Sequence, residues 1–333
     1  MKKKKIKPSI YLIFYLLFFI FVLSITPFIG SHSLNMGNVG KFLQGVETPD
    51  GIIFFQIRLP RIFLAMITGA SLTLAGIAFQ ALMRNPLATP YTLGVSAGGA
   101  LGAVFVIKSG LVLSVWGFST IQTAAFLGSL FTILVVYIIA RRSGQLSIHI
   151  MILAGVTISY FFGALILMIH FFADFTETRQ MVRWMMGGLD VVEISLIVKS
   201  LPILIIAFLV LFLSARMLNI ISTSEEMALS KGVPVSLVQK IVFITASLMT
   251  GLVVAVSGPI GFVGLIVPHF LRLTIGVDHR YLIPAGILLG GAFLALCDTV
   301  ARTILAPVDI PVGIITALLG GPFFLWLLMK QIG

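Results

Sequence analysis

The sequence predicts an all-α polytopic membrane protein of about ten transmembrane helices, arranged as one transmembrane domain over residues 1–333. Three observations predict it. Hydrophobic residues make up 59% of the chain and charged residues only 10%, and mean hydropathy is +1.14. An average soluble domain is ~45–50% apolar and ~25% charged. Apolar runs of bilayer length, ~20 residues, recur along the chain between charges and turn residues. The basic residues sit singly beside those runs, apart from Lys2–Lys5 with Lys7. This composition excludes a soluble enzyme, a disordered chain and a disulfide scaffold. Cys297 is the one cysteine and can form no intrachain disulfide.

A backbone in lipid must satisfy its own hydrogen bonds, so each run is read as a helix. The runs fall at roughly 10–29, 62–83, 91–107, 119–140, 148–173, 195–215, 238–257, 260–275, 281–300 and 310–330. The first follows the Lys-rich start, is longer than a signal-peptide core and has no A-x-A site after it, so it reads as an uncleaved helix. The third and eighth are short and glycine-rich or Pro-flanked, as half-helices or tilted helices around a pathway often are. Three connections are long: 30–61 and 174–194 on the outer side, and 216–237 on the inner side. Ten spans place both termini on one side. A cytoplasmic placement gathers Lys2–Lys5, Lys7, Arg84, Arg141, Arg142, Arg216, Lys231, Lys240, Arg272, Arg280 and Lys330 there, and the N-terminal tail decides it. The formal charge of +11 therefore reads as cationic loop ends against a bilayer, with no nucleic-acid partner.

The inner connection begins polar, at Ser222–Glu226. Ser224 or Thr223 can cap a short helix that Gly232 and Pro234 end. Such a helix either decorates the surface or docks a partner. Gly94-x3-Gly98-x3-Gly102, Gly286-x3-Gly290 and Gly258-x2-Gly261-x2-Gly264 are smooth faces on which helices can approach closely. Gly94-Val-Ser96-Ala-Gly98 fits the G-x-S-x-G nucleophile pattern, but it opens a Gly/Ala-rich helix where a strand-to-helix elbow would be needed. Arg142-Ser-Gly-Gln-Leu146 faintly echoes an ATPase signature loop on a short basic connection. There is no G-x-x-x-x-G-K-[ST] phosphate loop, so the chain does not hydrolyse nucleotide alone. Five histidines and one cysteine, none at ligand spacing, point to no metal site and no cofactor.

Ionisable residues near spans are functional suspects. Asp298 and Arg302 are four apart and can pair on one helix face. His170 and Asp174 have the same spacing and read as snorkelling near an outer end. His149 and His269 read as structural hydrogen-bonding groups near inner ends. Arg58-Leu-Pro-Arg61 is the outer feature that stands out. Two guanidiniums three residues apart either offer forked donors to carboxylates or anchor a helix end at the headgroups.

Taken together, these blocks resemble the FecCD-type permeases, the membrane subunits of type II ABC importers for ferric siderophores, haem and cobalamin. The resemblance runs from Arg58 nearly to the end of the chain. It rests on Arg58-Leu-Pro-Arg61, Gly69-Ala-Ser-Leu-Thr-Leu-Ala-Gly76-x3-Gln80-x3-Arg84-Asn-Pro-Leu-Ala-Thr-Pro90, Leu93-Gly-Val-Ser-Ala-Gly98, Ser257-Gly-Pro-Ile-Gly-Phe-Val-Gly-Leu-Ile-Val-Pro-His269-x2-Arg272, Asp298-x3-Arg302 and Pro311-Val-Gly313-x2-Thr316-x3-Gly320-x-Pro322.

The resemblance implies the type II importer permease fold in the bacterial cytoplasmic membrane. It further implies a second permease copy or paralogue, two ABC ATPase subunits and an extracytoplasmic binding protein. It assigns Arg58, Arg61 and Arg302 to docking of the binding protein. Residues 222–235 become the coupling element that seats in the ATPase, with Glu225, Glu226, Ala228, Gly232 and Pro234 in the segment. Asn85, Leu87, Ile148 and His149 become the inner gate. Lys231 stands where a Leu is usual, Asp309 where a Glu is common, and Ile148 and His149 where small hydroxyl residues are frequent. The opposing readings are a secondary carrier and an intramembrane serine protease using Ser96. The cargo implied first is a ferric siderophore, with haem or cobalamin as the alternative.

Overall fold

The computed structural model describes residues 7–142, 145–189 and 194–332. The Lys2–Lys5 tail, on which the orientation rests, lies outside them, as do Ser143 and Gly144 of the signature-like connection. Fifteen α-helices follow in order: α1 Pro8–Ile25, α2 Met36–Leu43, α3 Pro49–Ile52, α4 Leu59–Leu82, α5 Val95–Ser109, α6 Thr120–Ala140, α7 Ile148–Phe171, α8 Phe175–Met185, α9 Ile194–Leu213, α10 Ala215–Ile221, α11 Glu225–Ser230, α12 Val235–Ser257, α13 Val263–Thr274, α14 His279–Thr303 and α15 Val312–Ile332. One helix stands at each of the ten predicted positions. Seven helical stretches are long and apolar enough to cross a membrane, and α5, α13 and α15 supply three shorter apolar ones. The β structure among the described residues is two small antiparallel pairs, 114–115 with 118–119 and 141–142 with 145–146.

The two short spans begin later than the apolar runs do, for local reasons. Before α5, Pro90–Leu93 forms a 3₁₀ turn capped by Thr89 and closed by Gly94 at φ 76°. Before α13, Gly258 and Phe262 take φ of 65° and 67°, so the chain cannot start a helix until Val263. Asp174, expected to snorkel with His170, instead caps α8: it accepts from Glu177 N while Glu177 Oε2 accepts from Asp174 N.

Helix α4 is the axis of the bundle, with 83% of its spanning window buried against 17% for α1. It packs most extensively on α14, antiparallel, and the contact is made by missing side chains. A Cβ on Gly69 would lie 2.1 Å from Gly290 O, and one on Gly290 would meet Thr73 Oγ1 and Gly69 O. The glycine stripe of α5 does the same against α6, where Gly98 faces Gly128 and Thr132. The G-x-S-x-G pattern is therefore a packing face in this fold. Without a hydrophobic drive between helices in lipid, such backbone contact is what holds spans together.

Candidate functional site

The antiparallel α4–α14 pair puts charged groups at both of its ends and almost none between. Arg61 and Arg84 are 23 residues apart along one continuous helix and its C-terminal turn, which at 1.5 Å per residue is ~35 Å. The same spacing separates His279 from Arg302 on α14. Two sites at opposite ends of the bundle follow from that geometry.

At the first end, Arg58, Arg61 and Arg302 come together, and all three are buried at 4%, 7% and 6% exposure. Asp298, fully buried, is their hub. Arg61 Nε donates to its Oδ1 at 3.0 Å and its Oδ2 at 3.2 Å, and Arg302 Nε donates to Oδ2 at 3.1 Å. Arg61 Nη1 reaches Asp309 Oδ2 at 2.9 Å, and that carboxylate is 37% exposed. Arg302 also donates to the carbonyl of Ile29 and to Thr299 Oγ1. Arg58 instead donates to the carbonyls of Pro27 and His32, lying flat where a Cβ on Gly30 would be 2.6 Å from its Nη2. The forked donors expected of Arg58-Leu-Pro-Arg61 thus meet acceptors of the same chain. The cluster still carries three guanidiniums against two carboxylates.

At the other end, α4 stops at an irregular turn. Arg84 takes φ 48°, and Asn85 Oδ1 accepts from Leu87 N at 2.9 Å. Arg84 Nη2 lies 3.4 Å from Glu225 Oε2, which ties this turn to the 216–237 connection. There the predicted short helix is α11. Ser224 Oγ caps it by accepting from Met227 N, and Gly232 reverses the chain at φ 73°. Ala228 is fully buried against the bundle, while Met227 and Leu229 are 43% and 57% exposed. Glu226 and Pro234 are exposed beside them. A short acidic and apolar knob protrudes, held by one small residue.

The four gate residues do not converge within one chain. Leu87 lines a cavity of about 420 Å³ with Tyr91, Phe262 and Phe324. Ile148 packs beside Leu82, Met83 and Phe243, and His149 is exposed. Gly261 and Phe262, at the end of the non-helical stretch 258–262, form part of the larger cavity's wall with Gly264 of α13, and carbonyls of the stretch and of the first turn of α13 find side-chain donors. Tyr91 Oη donates to Ile260 O at 2.6 Å, and Gln80 Nε2 donates to Gly264 O at 3.1 Å. Irregular backbone at membrane depth is tolerated where protein groups satisfy it.

Sequence reasoning missed Asp298 as a hub, because its partner Arg61 lies 237 residues away. It missed Asn219, Asp278 and His279 entirely. Their one local signal was Asp278 three positions before the apolar run at 281–300, the mark of a helix cap.

The FecCD transport family matches residues 16–330. The chain belongs to that family. FecCD proteins are membrane permease subunits of ABC importers and are not themselves catalytic, and this one is a permease of the metal-chelate, haem and cobalamin importer type. It is 36% identical to the hemin transport system permease of Yersinia pestis, over 93% of this chain and 95% of that one. It is 40% identical to the cobalamin import system permease of Halobacterium salinarum, over 90% and 79%. In structure it is similar to a metal-chelate type ABC transporter solved in an inward-facing conformation, with TM-score 0.85, 30% identity and coverage of 97% and 99%. The Yersinia and Halobacterium relatives thus differ in the cargo that their names give, while each matches nine-tenths or more of this permease.

Proposed function

We propose that this FecCD permease translocates a ferric siderophore across the cytoplasmic membrane, with both termini in the cytoplasm. Two copies, or one copy and a paralogue, form the pathway. Two ABC ATPase subunits seat on α11 and its flanks, through Glu225, Glu226, Ala228, Gly232 and Pro234. A binding protein carrying the chelate docks over Arg58, Arg61 and Arg302. Asn85, Leu87, Ile148 and His149 belong to the inner gate, which only the assembled pair of permeases completes.

The observation that carries this reading is the placement of two dissimilar surfaces at opposite ends of one rigid helix pair. One is a buried cationic cluster with an excess guanidinium and an accessible carboxylate, suited to acidic groups of a protein lobe. The other is a protruding knob whose acidic and apolar residues face outward around buried Ala228. ATP binding moves the knob, the helix pair conveys the motion, and the pathway alternates its access. A wide, weakly binding lumen suits a bulky chelate, because tight binding would slow release.

The test is uptake of iron-55 as a siderophore complex into proteoliposomes holding this permease with its co-encoded ATPase and binding protein. ATP-dependent uptake that requires the binding protein supports the reading. ATPase stimulation without iron uptake keeps the importer and moves the cargo to haem or cobalamin. Neither stimulation nor assembly overturns it, and an uptake that follows an ion gradient without ATP replaces it with a secondary carrier. The double substitution Arg58→Glu and Arg61→Glu is expected to weaken docking most at low salt, where screening is least.

A further inference from the structure

We infer that Asn219 is the positioning residue that joins the coupling segment to the transmembrane frame, so that motion of α11 reaches the far end of the bundle through α14. The inference rests on the ABC importer reading and deepens it.

Asn219 sits on α10, the short helix between α9 and α11, and both faces of its amide are used. Its Nδ2 donates to Asp278 Oδ1 at 2.8 Å. Its Oδ1 accepts from the backbone N of His279 at 2.8 Å and lies 2.6 Å from His279 Nδ1, which places the ring proton on that nitrogen. Asp278 is the N-cap of α14, accepting from Arg280 N. One side chain therefore grips both the cap carboxylate and the first residue of a 25-residue helix.

The main chain of the same residue holds the other side of the joint. Asn219 O accepts from Ser222 Oγ at 3.1 Å and Thr223 Oγ1 at 3.0 Å, the two residues that lead into the cap of α11. On either side Leu218 and Ile221 are fully buried, so α10 cannot slide on the bundle. At its far end α14 carries Asp298 and Arg302, and Asp298 binds Arg61 of α4. The second route from α11 to the frame, Arg84 to Glu225, is a 3.4 Å pair with both side chains about a third exposed or more. Exposed pairs of that kind hold little. The amide joint is the stiffer of the two connections, and it feeds the helix that ends in the cationic cluster.

The experiment uses the full importer in proteoliposomes, measuring basal ATPase rate, its stimulation by loaded binding protein, and cargo taken up per ATP. Asn219→Ala is expected to leave the basal rate and the thermal midpoint of the complex near those of the parent. Stimulation and uptake per ATP should fall about fivefold or more, the range of typical coupling between sites. Asn219→Asp alone sets two carboxylates against each other and should fail likewise. Adding Asp278→Asn to Asn219→Asp reverses donor and acceptor across that bond, at the expense of the cap bond from Arg280 N that the same Oδ1 accepts, and it should restore part of the stimulation. If Asn219→Ala does not assemble, that single and double pair decides the matter. Parental stimulation in Asn219→Ala, or a double variant no better than Asn219→Asp, overturns the inference. Glu225 and Arg58 variants run in parallel separate the two failures. If they lose function while Asn219 variants keep it, the importer reading stands and the joint does not. If none responds, the importer reading falls first.

Discussion

Asp298→Asn is the substitution that most directly measures what the buried charge cluster is worth. The parent carboxylate is fully buried and receives Arg61 Nε and Nη2 at 3.0 Å and Arg302 Nε at 3.1 Å. The amide keeps the shape but removes the negative charge and points two hydrogens at groups that only donate. Two guanidiniums of 7% and 6% exposure are then left with Asp309 as their remaining carboxylate. Removing one partner of a buried pair costs ~3–5 kcal/mol, because the other charge stays desolvated. Equilibrium unfolding of the purified permease in mixed detergent micelles reads that loss. The control is the triple replacement Arg61→Met, Asp298→Leu and Arg302→Met, which removes every charge of the hub and should be much milder, since apolar replacement of a whole buried network is often neutral. A loss below ~1 kcal/mol for Asp298→Asn, the range of exposed pairs, would show that the cluster is solvated and refute the reasoning.

Asp309→Asn removes the accessible arm of the same cluster, at 37% exposure; binding-protein affinity for the permease should rise several-fold while stability moves by no more than ~1 kcal/mol, as titrated by fluorescence anisotropy. Gly69→Ala gains about 1 kcal/mol of helix propensity but drives a Cβ to 2.1 Å from Gly290 O, so unfolding should show a net loss of ~1–3 kcal/mol. Gly163→Ala on α7, where nothing lies within 4 Å, should be neutral or stabilising in the same assay. Asp278 has its pKa lowered to about 2, chiefly by the Arg280 guanidinium and then by the Asn219 amide. A depressed carboxyl pKa adds stability that is complete above the unfolded value of 3.8 and lost as pH falls toward 2. The stability gap between parent and Asp278→Asn should be flat from pH 7 to 5 and should close below pH 4.

The fold was legible because a bilayer demands one thing of every span. Ten apolar runs gave ten helices, and Gly98 and Gly102 of the 94–102 stripe, with Gly290 of the 286–290 pair, became close backbone contacts between helices. The capped helix in the inner connection was legible for the same reason, since Ser224 and Gly232 act on residues three or four positions away. What the sequence could not display were bonds between distant residues. Arg302 with Asp298 was visible at spacing four, but Arg61 with Asp298 was not, and neither was Asn219 with Asp278, 59 positions on. Local patterns encode helices and caps. The charged frame depends on which helices lie side by side, and no period in the sequence carries that.

Burying three arginines around one aspartate, with a second aspartate at the surface, in a protein with 33 charged residues in all needs a reason, because an apolar cluster of equal volume would hold the helices as well. Position supplies one. Every member sits at one end of α4 or α14, or on the segments 27–32 and 309 that close over that end. None lies in the middle of the frame, where Gly69, Thr73 and Gly290 do the packing. A network needed only for stability would gain from the drier centre, where ion pairs interact most strongly. A network that exchanges partners must lie where an incoming carboxylate can compete. Asp309, half in solvent and bonded to a single nitrogen of Arg61, is the replaceable acceptor. Asp298, fully enclosed, is the fixed one. One bond of the cluster, Arg61 to Asp309, can thus be traded while Arg61 and Arg302 keep Asp298, which is what the proposed docking over Arg58, Arg61 and Arg302 would require.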